Sequence, residues 1–305
     1  MSLSMLVVGS VAIDTIETPF GKADNVLGGS AVYIAIASSY FVSPVRLVGV
    51  VGGDYPEDAI HFLRERGIDL EGLEVIPGGK TFRWSGKYHY DLNSRDTLSL
   101  DLNVFEKFDP KIPPSYKKSK YICLGNIDPV LQRRVLEQVD HPALVVGDTM
   151  NFWIETKKDE LLKTIPMFDV FILNDSEARL LAGESNLLRA AKKIRGLGAK
   201  TLIIKKGEHG ALLFHDNHIF AAPAYPLEDI FDPTGAGDTF AAGFTAWLAK
   251  TDDLSHENFK RAVIYGSTMA SFCVEKISVN GLRDLSYLKI QDRVREFKAL
   301  SHFEE

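Results

Sequence analysis

Short runs rich in Val, Ile and Leu alternate with amphipathic stretches along most of the chain. The runs Met5–Ile13, Val45–Val51, Tyr121–Leu124, Ala143–Val146, Val170–Leu173 and Leu202–Lys205 predict strands. Between them, Ser30–Phe41, Pro56–Arg66, Pro129–Val139, Lys157–Ile165, Asp175–Leu181 and Leu187–Leu197 carry the spacing of helices. Strand followed by helix, repeated, predicts an α/β fold whose mostly parallel central sheet has helices on both faces. Ligands of such sheets bind at the carboxyl ends of the strands. Asp14, Asp148, Asn174 and Asp232 each follow an apolar run, which predicts one cleft.

One region breaks this rhythm. Phe82, Trp84, Tyr88 and Tyr90 alternate with Arg83, Ser85, Lys87 and His89, and Leu98, Leu100 and Leu102 alternate with Ser99, Asp101 and Asn103. Period two predicts strands with one aromatic face, drawn from about residues 72–105 and standing off the main sheet. Periodicity alone leaves open whether that face covers a ligand or packs on its own core. With no repeat, low-complexity tract or linker, residues 1–305 read as a single domain.

Composition narrows the classes. The chain is 45% hydrophobic and 25% charged, as globular proteins are. A net charge of −6 gives no basic footprint for nucleic acid. No apolar run reaches the roughly 18 residues of a membrane span, and the start Met1–Met5 lacks the form of a secretory signal. Cys123 and Cys273 lie far apart and outside any Cys-x-x-Cys pattern, which predicts reduced thiols in a cytoplasmic protein.

The chemistry concentrates in Asp232-Pro-Thr-Gly-Ala-Gly-Asp-Thr-Phe240. Phe240, Phe244, Trp247 and Leu248 recur at helical spacing, so Gly235, Ala236 and Gly237 stand where a helix begins. Free N–H groups and the positive dipole end make such a place a phosphate site. An aspartate there repels an anion unless it acts on the anion's partner, and Asp238 beside a phosphoryl group can take the proton of an attacking alcohol. A plain helix start with an acidic first turn is the duller alternative.

This segment resembles, at every fixed position, the Asp-x-Thr/Ser-Gly-Ala-Gly-Asp signature of the ribokinase-like (PfkB) carbohydrate and nucleoside kinases. Leu6–Asp14 followed by Gly28-Gly29-Ser30-Ala31 is similar to the family's N-terminal pattern, and the resemblance runs from about Met5 to about Gly281. It implies a ribokinase-like fold with a small β-strand lid over the sugar site, through which two copies often pair as a homodimer. It also implies ATP-dependent phosphorylation of a primary hydroxyl on a sugar or sugar-like molecule. Asp238 would be the base, the N–H groups of Gly235, Ala236 and Gly237 the anion hole, and ATP and Mg²⁺ the cofactors. Asp14, Gly28, Gly29, Ser30, Trp84, Tyr88 and Asn151 would hold the acceptor. Tyr33 would also bind the acceptor; it stands where the family usually has asparagine and would offer the substrate one hydroxyl and a flat apolar face, which points away from simple ribose. A nucleoside (adenosine-like) kinase is the alternative, and an inactive sugar sensor has no need of Asp238.

Asn174–Glu177 matches the family's Asn-x-x-Glu element, with Glu177 reaching Mg²⁺ through water, and equally reads as a helix capping box. Lys206, Gly207 and Gly210 match a turn beside the nucleotide, which Thr234 would also help to bind, and a hairpin explains the same glycines. Asp232, with carbonyls around Cys273–Ser278, would hold the K⁺ that activates many members. Ser278-Val279 replaces the common Gly-Ala there and leaves K⁺ open. Two look-alikes are set aside: Gly78–Thr81 lacks the first glycine of a P-loop, and His215–His218 reads as a surface turn.

Overall fold

All four residues of Met5–Val8 are apolar, and the computed structural model, which describes residues 4–301, buries each of them. Met5 and Val7 enter one core, Leu6 and Val8 the core on the opposite face. A strand covered on both sides shows no polar alternation. The strands are β1 (Met5–Val8), β2 (Ala12–Thr18), β3 (Gly21–Gly28), β4 (Val45–Gly52), β5 (Ile68–Ile76), β6 (Phe82–Tyr88), β7 (Arg95–Asp101), β8 (Tyr121–Leu124), β9 (Leu144–Asp148), β10 (Val170–Asn174), β11 (Thr201–Lys205), β12 (Ala211–His215) and β13 (His218–Ala222).

A nine-stranded sheet has the order β13-β12-β11-β10-β9-β8-β1-β4-β5. It is parallel from β11 to β5, with β12 and β13 added antiparallel at one edge. Helices Ser30–Ser38, Ala236–Thr251 and His256–Val274 belong to the core on one face, and Pro129–Leu136, Asp175–Ala182 and Leu187–Gly196 contribute to the other. This is the α/β architecture predicted from the alternation of elements. Every residue of Ser30–Ser38 is buried, as expected of a helix without a charged side chain. Among the described residues no helix is long and apolar enough to cross a membrane.

A second sheet has the order β3-β2-β6-β7. Its composition corrects two expectations. The run Met5–Ile13 is not one strand: the chain leaves the large sheet after Val8, and β2 pairs in the small one. Half of the small sheet therefore comes from residues 12–28, while residues 72–76 belong to β5 of the large sheet. At its outer edge β7 is exposed throughout, with Leu98 and Leu100 at 58% and 52%.

Candidate active site

Gly235 caps the N-terminus of the helix Ala236–Thr251 with a left-handed φ of 76°, and no side-chain hydrogen bond caps that end among the described residues. The N–H of Ala236 already donates to the Pro233 carbonyl at 3.2 Å. Those of Gly235 and Gly237 have no partner among the described residues, so two of the three expected anion-hole donors are open. The loop ahead is held from several sides. The fully buried carboxylate of Asp232 accepts the N–H of Thr234 at 2.8 Å and of Ser278 at 2.7 Å. The Cys273 thiol donates to the Thr234 carbonyl at 3.5 Å.

Tyr33 supports this loop from below. A Cβ on Gly235 would fall 2.3 Å from the Tyr33 ring, so packing and backbone both demand glycine there. Tyr33 is 1% exposed, which corrects the expectation that it offers a flat face to the substrate. Burial, with Cys273, Asp232 and Asp14 nearby, pushes its phenol well above the usual range.

Three adjacent parallel strands end at the same edge, and their last residues are Asp148, Asn174 and Lys205. Lys205 lies beside Asn174 in the ladder, and its Nζ is 3.6 Å from Asp148 Oδ2. The same Nζ lies 2.7 Å from where a Gly237 Cβ would stand. Asp238 is half-buried above them, and its carboxyl is raised to about 7 by burial and by Asp148, against the opposing pull of Lys205 and Arg95. Glu177 is also raised to about 7, chiefly by burial. Its Oε2 accepts the Asn174 N–H at 2.7 Å while Asn174 Oδ1 accepts the Glu177 N–H at 2.8 Å. The capping box thus forms, and it aims the glutamate without using its second oxygen.

Of the two neighbouring lysines, Lys205 rather than Lys206 enters this cluster. The N–H of Lys206 instead closes the β11–β12 turn on Gly210 at 2.7 Å. Gly210 (φ 81°) backs onto the Ala222 carbonyl, so the hairpin accounts for it. Gly207 (φ 54°) stands against Asn93, at the tip of the β6–β7 hairpin. The small sheet therefore reaches across to this turn.

On the other side Asp14 lies mid-strand in β2, paired with Trp84 of β6 and Val26 of β3. It is thus on the small sheet and not at the end of a central strand. A Cβ on Gly28 would fall 1.9 Å from its Oδ2, and its buried Oδ1 has no hydrogen-bond partner among the described residues. Burial first, then Asp232 and Asp238, raise its carboxyl to about 8. Gly29 (φ 91°) lies against the Ser10 carbonyl. Ser30 is a correction: its Oγ accepts the Ser10 N–H at 3.1 Å and its N–H donates to Ser10 Oγ at 3.0 Å. It pins the β1–β2 crossing and is not free for an acceptor. Tyr88 is buried and accepts a hydrogen bond from Thr234 Oγ1 at 3.1 Å. The half-buried Trp84 donates to Thr97 at 3.3 Å. Asn151 is exposed at the start of its helix, and its side chain has no hydrogen bond among the described residues. The Arg95 guanidinium lies 5.7 Å from the Trp84 ring and 6.0 Å from that of Tyr88. Sequence reasoning missed Arg95 and Lys205. The register of neighbouring strand ends carried the signal for Lys205; Arg95 had none.

From residue 3 to residue 284 the sequence matches the pfkB family carbohydrate kinases. The chain belongs to that family. A curated relative, the cytidine kinase of Thermococcus kodakarensis, is 31% identical over 253 residues, which cover 81% of this chain and 89% of that protein. The nucleoside kinase of Methanocaldococcus jannaschii has a TM-score of 0.78 at 19% identity, covering 96% of this chain and 98% of that one. The aminoimidazole riboside kinase of Salmonella enterica, solved with aminoimidazole riboside and an ATP analog, gives 0.74 at 19%, covering 95% and 99%. Both structures share the ribokinase-like fold. This pfkB kinase is therefore an ATP-dependent phosphotransferase of the carbohydrate and nucleoside class.

Proposed function

We propose that this kinase moves the terminal phosphoryl group of ATP to a primary hydroxyl on the sugar of a nucleoside. The observation that carries the reading is Asp238, a carboxyl raised to about 7 beside an uncapped helix start and an ammonium. A base whose proton affinity sits near working pH is well matched to its task. Asp14 accepts acceptor hydroxyls and so fixes the sugar. Asp238 takes the attacking hydroxyl's proton as the new oxygen–phosphorus bond forms and the bond to the ADP oxygen breaks. The N–H groups of Gly235 and Gly237 face the charge on the transferring oxygens, where fixed donors act most strongly.

Glu177, with one oxygen outside its capping bond, suits a Mg²⁺ that keeps most of its waters, while Asn174, whose Oδ1 is occupied by Ser176 and Glu177, can donate its amide N–H groups to a phosphate oxygen. Mg²⁺ supplies charge neutralisation on the ATP phosphates when bound. Each oxygen of Asp232 retains a lone pair after accepting its N–H, so a K⁺ beside the loop is part of the proposal. Equal rates in Tris with K⁺, Na⁺ or neither would remove it. The exposed β7 edge supports pairing of two copies through their small sheets, and two buried free thiols suit a reducing cytoplasm.

The half-buried Trp84, one strand from Asp14, favours a nucleoside over a free sugar, because its ring can take a base on its flat face. ADP release with cytidine, adenosine, inosine, ribose and 2-dehydro-3-deoxygluconate is the test. A nucleoside should exceed both free sugars at least tenfold in kcat/KM. Turnover with a free sugar alone would reassign the acceptor.

A further inference from the structure

Lys205 ends β11 with its side chain only 16% exposed. Its ion-pair partner is Asp148, at 3.6 Å, beyond the reach of a normal hydrogen bond. Two charges free to close would settle near 2.8 Å. The ammonium is instead held off, 2.7 Å from the point where a Gly237 side chain would begin. It therefore occupies space that only glycine leaves vacant, at the first turn of Ala236–Thr251. The open N–H groups of Gly235 and Gly237 belong to the same turn.

Donors of two kinds thus meet at one place, an ammonium from the sheet and amides from the helix. Asp238, Glu177 and Asp148 make the surroundings acidic, with Lys205 and Arg95 as the countercharges acting on Asp238. A polyanion entering this cleft meets net repulsion unless a cation is placed to receive it. We propose that Lys205 receives the terminal phosphate of ATP at the mouth of this helix, and that Asp148 holds the ammonium there beforehand. The inference rests on the kinase reading above. A compact ammonium on a flexible stem suits a phosphoryl group whose oxygens shift during transfer. Asp148 is itself steadied, since its Oδ1 accepts the Thr149 N–H at 2.9 Å.

Calorimetric titration with Mg–AMP-PNP and with AMP separates this role from a structural one, and needs no acceptor. Lys205→Met should weaken Mg–AMP-PNP at least tenfold and leave AMP within about twofold. Lys205→Arg, which keeps the charge, should recover part of the loss. Lys205→Met strands a buried carboxylate, so Asp148→Asn/Lys205→Met is included as a variant that relieves it. The double variant should melt near the wild-type temperature and still bind the triphosphate weakly. Equal losses for both nucleotides, or triphosphate affinity restored in the double variant, would overturn the assignment. A failed acceptor panel would leave these binding results untouched.

Discussion

The phenol of Tyr88, on β6 of the small sheet, accepts the hydroxyl hydrogen of Thr234, in the loop before the helix Ala236–Thr251, at 3.1 Å. This bond ties the sheet that carries Asp14 to the loop that shapes Gly235. Removing one neutral hydrogen bond costs about 1 kcal/mol. Tyr88→Phe should therefore speed amide exchange across residues 82–101 and lower kcat/KM about fivefold. Unchanged exchange would show that the sheet and the loop move independently.

Gly235→Ala meets two obstacles. A left-handed backbone costs a residue with a Cβ about 1–2 kcal/mol, and that Cβ would strike the Tyr33 ring. The variant should melt several degrees lower and lose activity. In a Tyr33→Ala background the melting loss should shrink, since one of the two causes is gone. A thermal double-mutant cycle measures this, and simple additivity would disconnect Tyr33 from the loop.

Asp14 predicts a proton release. Its carboxyl stands at about 8 because burial disfavours the charge. Hydroxyls donated by an acceptor favour the charged form and lower that value. Binding near pH 7, below 8, should then expel most of a proton, read as an enthalpy that differs between PIPES and Tris. Asp14→Asn should abolish the difference and weaken acceptor binding at least tenfold. Persistence of the buffer effect in that variant would assign the proton elsewhere.

Much of this molecule was legible in its sequence, and the illegible parts have physical reasons. The runs that became β8, β10 and β11 are apolar because both faces are buried, and the Asp232–Asp238 segment carries its chemistry on adjacent residues. The run Met5–Ile13 hides a change of sheet, because Val11–Ile13 are as apolar and as buried as Met5–Val8. Whether Lys205 or Lys206 enters the cleft depends on where β11 stops, a matter of one residue. The role of Tyr33 is fixed by the helix packed against its own, and that of Ser30 by a serine twenty positions earlier. Neither neighbour shows in a local pattern.

The central claim is that Asp238 takes the acceptor's proton. Rapid-quench transfer from radiolabelled ATP to the acceptor found by the panel, measured across neutral pH, addresses it most directly. The wild-type rate should rise with pH and level off above about 7, because the deprotonated carboxyl is the active form. Asp238→Asn should be slower by at least about 10²-fold and lose that pH dependence, while binding Mg–AMP-PNP and acceptor close to normally. An asparagine variant that transfers phosphate near the wild-type rate would contradict the account.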